Sequence, residues 1–423
     1  MDLNDLRETL WYCLEADRKM NLNMYSGAYS AFLHSINIDK KLNPLQKMVT
    51  LLHEFTHFCN WQMNWGEAIR RLDMLEIKIS LSANELRGLI IAKLINEEAN
   101  GNPSNKDFER IAYDNTIRRQ IKEKLSEDEV FMSAIRTIVY IQARKKYLAQ
   151  QMLPVDEGYA YWTGVDSLSY EPKENYWPEY SYLIRDNNNN IKPNAEELCK
   201  SLLNNIMYKL PEEIRKGFEK IDRLCSSYSS NSLLTNELIA ICMSPKIDSI
   251  QILGLPLAKF KHQISTYPIS PNSRLIKICA EVSSQRRKIG RLLCTKEMRN
   301  ILSILPKMNA NEFNNYWYTN IDSNQMIIHL FNALNKELGV SEEYVPVQYP
   351  QRNCEGEKVP VDMPFFEDID TPSLQEIPSV WLEDGGLDFN KINNNRKSLF
   401  TLMRQAIMTR DRLMSTMINE EII

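Results

Sequence analysis

Leu51-Leu52-His53-Glu54-Phe55-Thr56-His57-Phe58 is the stretch on which the reading of this chain turns. Its core is an HExxH pattern, His53-Glu54-Phe55-Thr56-His57. On a helix, spacing i, i+4 puts both imidazoles on one face, a turn apart, where they can share a zinc ion. Glu54 then stands beside the metal, placed to take a proton from a water attacking a carbonyl. Leu52, Phe55 and Phe58 remain to anchor the helix in a core. The bland alternative is a pair of half-buried helix histidines bonded to neighbours. Two of the chain's five histidines fall in this one motif, which favours the sharper reading.

The surroundings predict the helix the motif needs. Asn43-Pro44 reads as an N-cap followed by proline at the first helical position, where its missing N–H costs nothing. A helix over about 44–62 is expected. Upstream, residues 28–38 are the best strand candidate, with Phe32, Ile36 and Ile38 on one side and His34 among them.

Composition sets the frame. The chain has 423 residues, 43% apolar and 25% charged, so ordinary globular folding in two or three domains is expected. Its 13 glycines are about 3%, under half the usual ~7%, which favours long helices over hairpins. Eight cysteines without CxxC pairs argue against a cysteine-built zinc module or a secreted disulfide scaffold. A net charge of −4 disfavours nucleic acid as a general partner. No apolar run reaches the ~20 residues of a membrane span, and the N-terminus lacks a signal-peptide pattern. A cytoplasmic protein without a membrane partner is the expectation.

Helical periodicity continues through Ala68–Ile79, Asn84–Glu98, Asp107–Leu125 and Glu127–Gln151, and a short helix start follows Pro154. The expected organisation is a first domain over 1–185, with 64–152 as a helical insertion, and a helical domain over 186–344. A proline-rich acidic arm (345–395) and a C-terminal helix (396–423) complete it.

The strand followed by the HExxH helix resembles the zincin metallopeptidases over about residues 25–65, plus a third-ligand segment. The resemblance implies an α+β core, mainly α with a small edge β-sheet; periodicity over 194–340 and 397–418 adds a helical C-terminal region. It also implies that the edge strand pairs with an extended substrate peptide. The metzincin pattern wants Gly and His where this chain has Asn60 and Met63, so that branch is excluded. With no further histidine nearby, a carboxylate is the expected third ligand, which resembles the gluzincin branch.

Two glutamates compete for that place. Glu76 has the spacing of one large gluzincin aminopeptidase family, but Leu75-Glu76-Ile77-Lys78 lacks its surroundings and reads as an ordinary surface acid. Glu157-Gly158-Tyr159-Ala160-Tyr161 is similar to the Glu-Gly-x-Ala-x-aromatic segment of many gluzincin-like proteins. Gly158 and Ala160 would let its helix approach the HExxH helix closely. Glu157 is preferred, with Glu76, Glu67, Glu98 or an aspartate as alternatives. An oxyanion-stabilising donor among Tyr159, Tyr161, Tyr170 and Tyr176 stays unassigned.

Three weaker signals have bland readings. Arg286, Arg287, Lys288, Arg291, Lys296 and Arg299 form a basic face, read as solvated. Cys354 on the arm could cap an open zinc position, but reads as incidental. The Met-rich helix 397–418 could grip a protein partner, though packing on its own domain is the default. The expected function is a zinc metallopeptidase binding one Zn2+ and acting on protein or peptide. A non-catalytic zincin-like binding module, or a hydrolase of non-peptide bonds, is the alternative.

Overall fold

Asn43 starts the motif helix by a reciprocal cap. Its Oδ1 accepts from the Gln46 N–H at 2.9 Å, and its own N–H donates to Gln46 Oε1 at 3.1 Å. Pro44 follows as the first residue of α1, Pro44–Trp61, as the sequence predicts. The structure, a computed structural model, describes residues 27–31, 35–39, 41–61, 63–101, 114–169, 251–266, 269–289, 323–339, 365–367 and 405–418, with short or single positions elsewhere.

The strand expected over 28–38 is instead a hairpin. β1, Gly27–Ser30, runs antiparallel to β2, Ser35–Ile38, with Gly27 opposite Ile38 and Tyr29 opposite Ile36. Two short strands satisfy each other's backbone groups, which one long edge strand would leave open. β3, Phe365–Glu367, lies parallel to β2, giving the order β1-β2-β3 with β1 on the outside. Ile36 and Ile38 are buried against Leu51 of α1, with Tyr29 and Phe55 packed around them. Phe32 and His34 lie outside the described residues.

The helices are longer than their periodicities suggest. Ala68–Ile79 and Asn84–Glu98 merge into α2, Asn64–Glu98. α2 follows α1 so tightly that a Cβ on Gly66 would stand 2.5 Å from the Trp61 Cα. The described part of the 107–125 helix is α3, Asn115–Glu127, capped by Asp114 Oδ1 on the Thr116 N–H at 2.8 Å. α4, Glu129–Ser169, runs unbroken through Pro154, where a helix end was expected. Proline strips the Gln150 carbonyl of its helical donor, and Asn272 Nδ2 reaches that oxygen at 3.4 Å.

α4 is the hub, packing on α1, α2 and α3 and on three later helices: α5, Leu257–Thr266; α6, Pro271–Ile289; and α7, Ser323–Leu338. The main core joins Trp65 and Leu72 of α2, Phe131 and Ile138 of α4, and Phe260, Leu275 and Leu334. Leu413 and Met417 from α8 (405–418) enter the same core. Residues 64–152, read as an insertion, supply α2, α3 and the first part of α4 to it. The described chain is thus mainly α with a small sheet at one side of the motif helix. No helix among the described residues is long and apolar enough to cross a membrane.

Candidate metal centre

α1 is held in place by its apolar side: Leu51 and Phe58 are buried, and Tyr29 of β1 meets the Phe58 ring edge-on at 6.0 Å. This leaves His53 and His57 on the face toward α4, with their Nε2 atoms 3.0 Å apart. α4 brings Glu157 to them. Its Oε2 lies 3.4 Å from His53 Nε2 and 3.7 Å from His57 Nε2. Gly158 and Ala160 beside it are buried, in keeping with a close helix approach. Two donors at ~2.0–2.1 Å from one tetrahedral ion lie about 3.3–3.4 Å apart. The three observed spacings bracket that value, so the donor set fits a single metal ion.

Among the described residues, His53, His57 and Glu157 form the metal-capable group of His, Cys, Asp or Glu side chains. The alternatives are elsewhere. Glu67 pairs with Arg71 along its own helix, at 3.1 Å from Nε, and Glu98 is exposed. Glu76 requires a correction. It is not a surface acid but wholly buried, bonded by Gln142 Nε2 at 2.9 Å and Lys145 Nζ at 2.7 Å. Arg410 of α8 stands 3.6 Å away. A carboxylate can be buried there because two cations on other helices face it.

Asp156 is the residue that sequence reasoning missed. Its carboxylate is 1% exposed and lies with Oδ2 2.9 Å from His57 Nδ1. Asn60 Nδ2 donates to Oδ1 at 2.7 Å and Trp61 Nε1 to Oδ2 at 3.0 Å. A carboxylate behind a ligand imidazole fixes the ring and raises its basicity. Asn60 and Trp61 sit at i+3 and i+4 from His57, on its face, but that spacing does not name Asp156 as their partner.

The electrostatics follow from these neighbours. Burial disfavours a charged His57, but Asp156, Glu157 and Glu54 outweigh it and raise the imidazole to about 10. For Glu157, burial opposes ionisation, while a hydrogen bond with His53 and the charges of His57 and His53 hold its carboxyl below the usual range. Glu54 is buried, and burial pushes its carboxyl up against the opposing pull of His57 and His53. The site therefore concentrates negative charge around two imidazoles, which is an environment that attracts a cation.

Tyr159 is half-buried on α4. The side chain of Tyr161, and Tyr170, Tyr176 and Cys354, lie outside the described residues. Arg287, Lys288 and Lys296 of the basic face are exposed. No family model matches the chain, and no curated protein or solved structure proves similar to it. What the fold and site define is a mainly helical protein with a His/His/Glu group suited to a metal ion.

Proposed function

We propose that this chain is a zinc-dependent metallopeptidase of gluzincin-like type, with His53, His57 and Glu157 as ligands of one Zn2+. The supporting observation is the convergence of Glu157 on the HExxH histidines from a separate helix, within 3.4 and 3.7 Å. Two imidazoles and a carboxylate are a donor set zinc accepts while leaving one position open. Zinc held there supplies Lewis acidity toward a carbonyl oxygen and lowers the pKa of water.

The remaining work falls to the protein's own groups. Glu54 is the base that takes the water proton and passes it to the leaving amine. Its burial suits this, since a carboxylate stripped of water holds a proton more readily. Asp156 keeps His57 oriented, braced by Asn60 and Trp61. Among the described strands β1 is an outer one, on the Glu54 side of α1.

The test is cleavage of an unbiased peptide library by wild type and by Glu54→Gln, with bound zinc measured in both. Glutamine keeps the size but cannot accept the proton. Zinc should stay, and turnover should fall by at least ~100-fold. Equal cleavage by both proteins, or no cleavage by zinc-loaded wild type, contradicts the proposal. Cleavage confined to non-peptide esters or amides would move the substrate class and leave the roles of the residues in place.

A further inference from the structure

β1 approaches α1 more closely than side chains normally permit. A Cβ on Gly27 would stand 2.5 Å from Thr50 Cγ2, a separation real Cβ atoms essentially never show. It would also lie 3.1 Å from Glu54 Cγ and 3.1 Å from the Asn37 carbonyl oxygen. The register explains the direction. Gly27 and Tyr29 are opposite Ile38 and Ile36, which are buried on the α1 side, so both β1 residues face that helix.

At this distance the Tyr29 backbone amide also acts on the Glu54 carboxylate, helping to hold it charged against burial and the charge of Glu157. Antiparallel alternation then turns the Ala28 and Ser30 amides toward β2 while Tyr29's points away from it. Strand and base therefore meet across a glycine-sized gap, with the Tyr29 amide beside the Glu54 side chain.

We infer that Gly27 is a positioning residue for the reaction: its missing side chain lets β1 close on the Thr50–Glu54 turn, so that the Tyr29 amide fixes the Glu54 carboxylate. The catalytic meaning rests on the metallopeptidase reading; the contact itself does not. A restrained base has less freedom to lose on reaching the transition state, and small misplacements of such a group are costly.

Four variants of the full chain test this: Gly27→Ala, Thr50→Ser, the two combined, and Glu54→Ala. Thr50→Ser removes the methyl that an alanine at 27 would strike. Tyr29 amide exchange, bound zinc, and kcat and KM on the best library peptide are the readouts. In Gly27→Ala, Tyr29 exchange should quicken about tenfold or more, and zinc should remain. kcat should fall ~10–100-fold with KM little changed. Adding Thr50→Ser should restore both, whereas a general loss of stability would also quicken Ala28 exchange and release zinc. Glu54→Ala should free the Tyr29 amide but leave Ala28 protected. Unchanged Tyr29 exchange in Glu54→Ala, or a kcat loss that Thr50→Ser does not rescue, overturns the inference. A wild type without zinc or cleavage sinks the peptidase reading and the catalytic role of Gly27 with it. The exchange rates then still decide whether the Gly27–Thr50 contact holds Tyr29 on Glu54.

Discussion

Burial alone would keep His57 neutral, yet the carboxylates of Asp156, Glu157 and Glu54 surround it. A metal ion satisfies the same negative field that a proton otherwise answers. Asp156 is the least replaceable part of that field, because it meets His57, Asn60 and Trp61 at once. Asp156→Asn keeps the volume and loses the charge. It should weaken zinc binding about 10–100-fold, read by competition with a chromophoric chelator, with the helical fold retained. Undiminished affinity would remove Asp156 from the account. The grouping of His53, His57 and Glu157 was legible in the sequence because its signals are local: i, i+4 spacing for the histidines, and Gly158 and Ala160 beside Glu157. Asp156 and Glu76 were not. What each does depends on side chains from other segments, which spacing along one helix does not encode.

The elements show where local rules give way to packing. Pro154 predicts a helix end, since an interior proline costs ~3 kcal/mol or more. α4 continues because it is buried among α1, α2 and α6, and because Asn272 of α6 donates to the freed Gln150 carbonyl. Asn272→Leu should therefore destabilise the protein by about 1–2 kcal/mol, measured by urea unfolding. In a Pro154→Ala background the helix recovers its own donor, and the same change should cost clearly less. Equal costs in both backgrounds would mean that Asn272 acts elsewhere. The hairpin was half legible. Ile36 and Ile38 marked the buried side correctly, but residues 31–34 carry no Asn-Gly or Gly-rich signal to announce a turn.

Among the described residues, the main core joins helices from both halves of the chain, and α8 adds Leu413 and Met417 to it. Arg410 on α8 and Lys145 on α4 meet Asp73 and Glu76 on α2, an ion cluster with two charges of each sign. Burial raises the Glu76 carboxyl, but Lys145 and Arg410 outweigh it and hold it below its ordinary 4.5. Lys145 is pulled above its ordinary 10.5 by Asp73 and Glu76, against burial. Glu76 thus contributes stability that is present above pH 4.5 and lost as pH falls through its lowered value. Lys145 contributes stability that is complete below pH 10.5 and lost as pH rises through its raised value. Thermal unfolding followed against pH should show that plateau. Glu76→Gln should cost roughly 3–5 kcal/mol at neutral pH and flatten the acid limb; an unchanged acid limb would dismiss the cluster. X-ray absorption on the zinc-loaded chain reads the proposed His53, His57 and Glu157 coordination itself. Only nitrogen and oxygen neighbours at ~2.0–2.2 Å are expected, with the outer-shell signature of two imidazoles. Sulfur at ~2.3 Å, or fewer than two imidazoles, would contradict it.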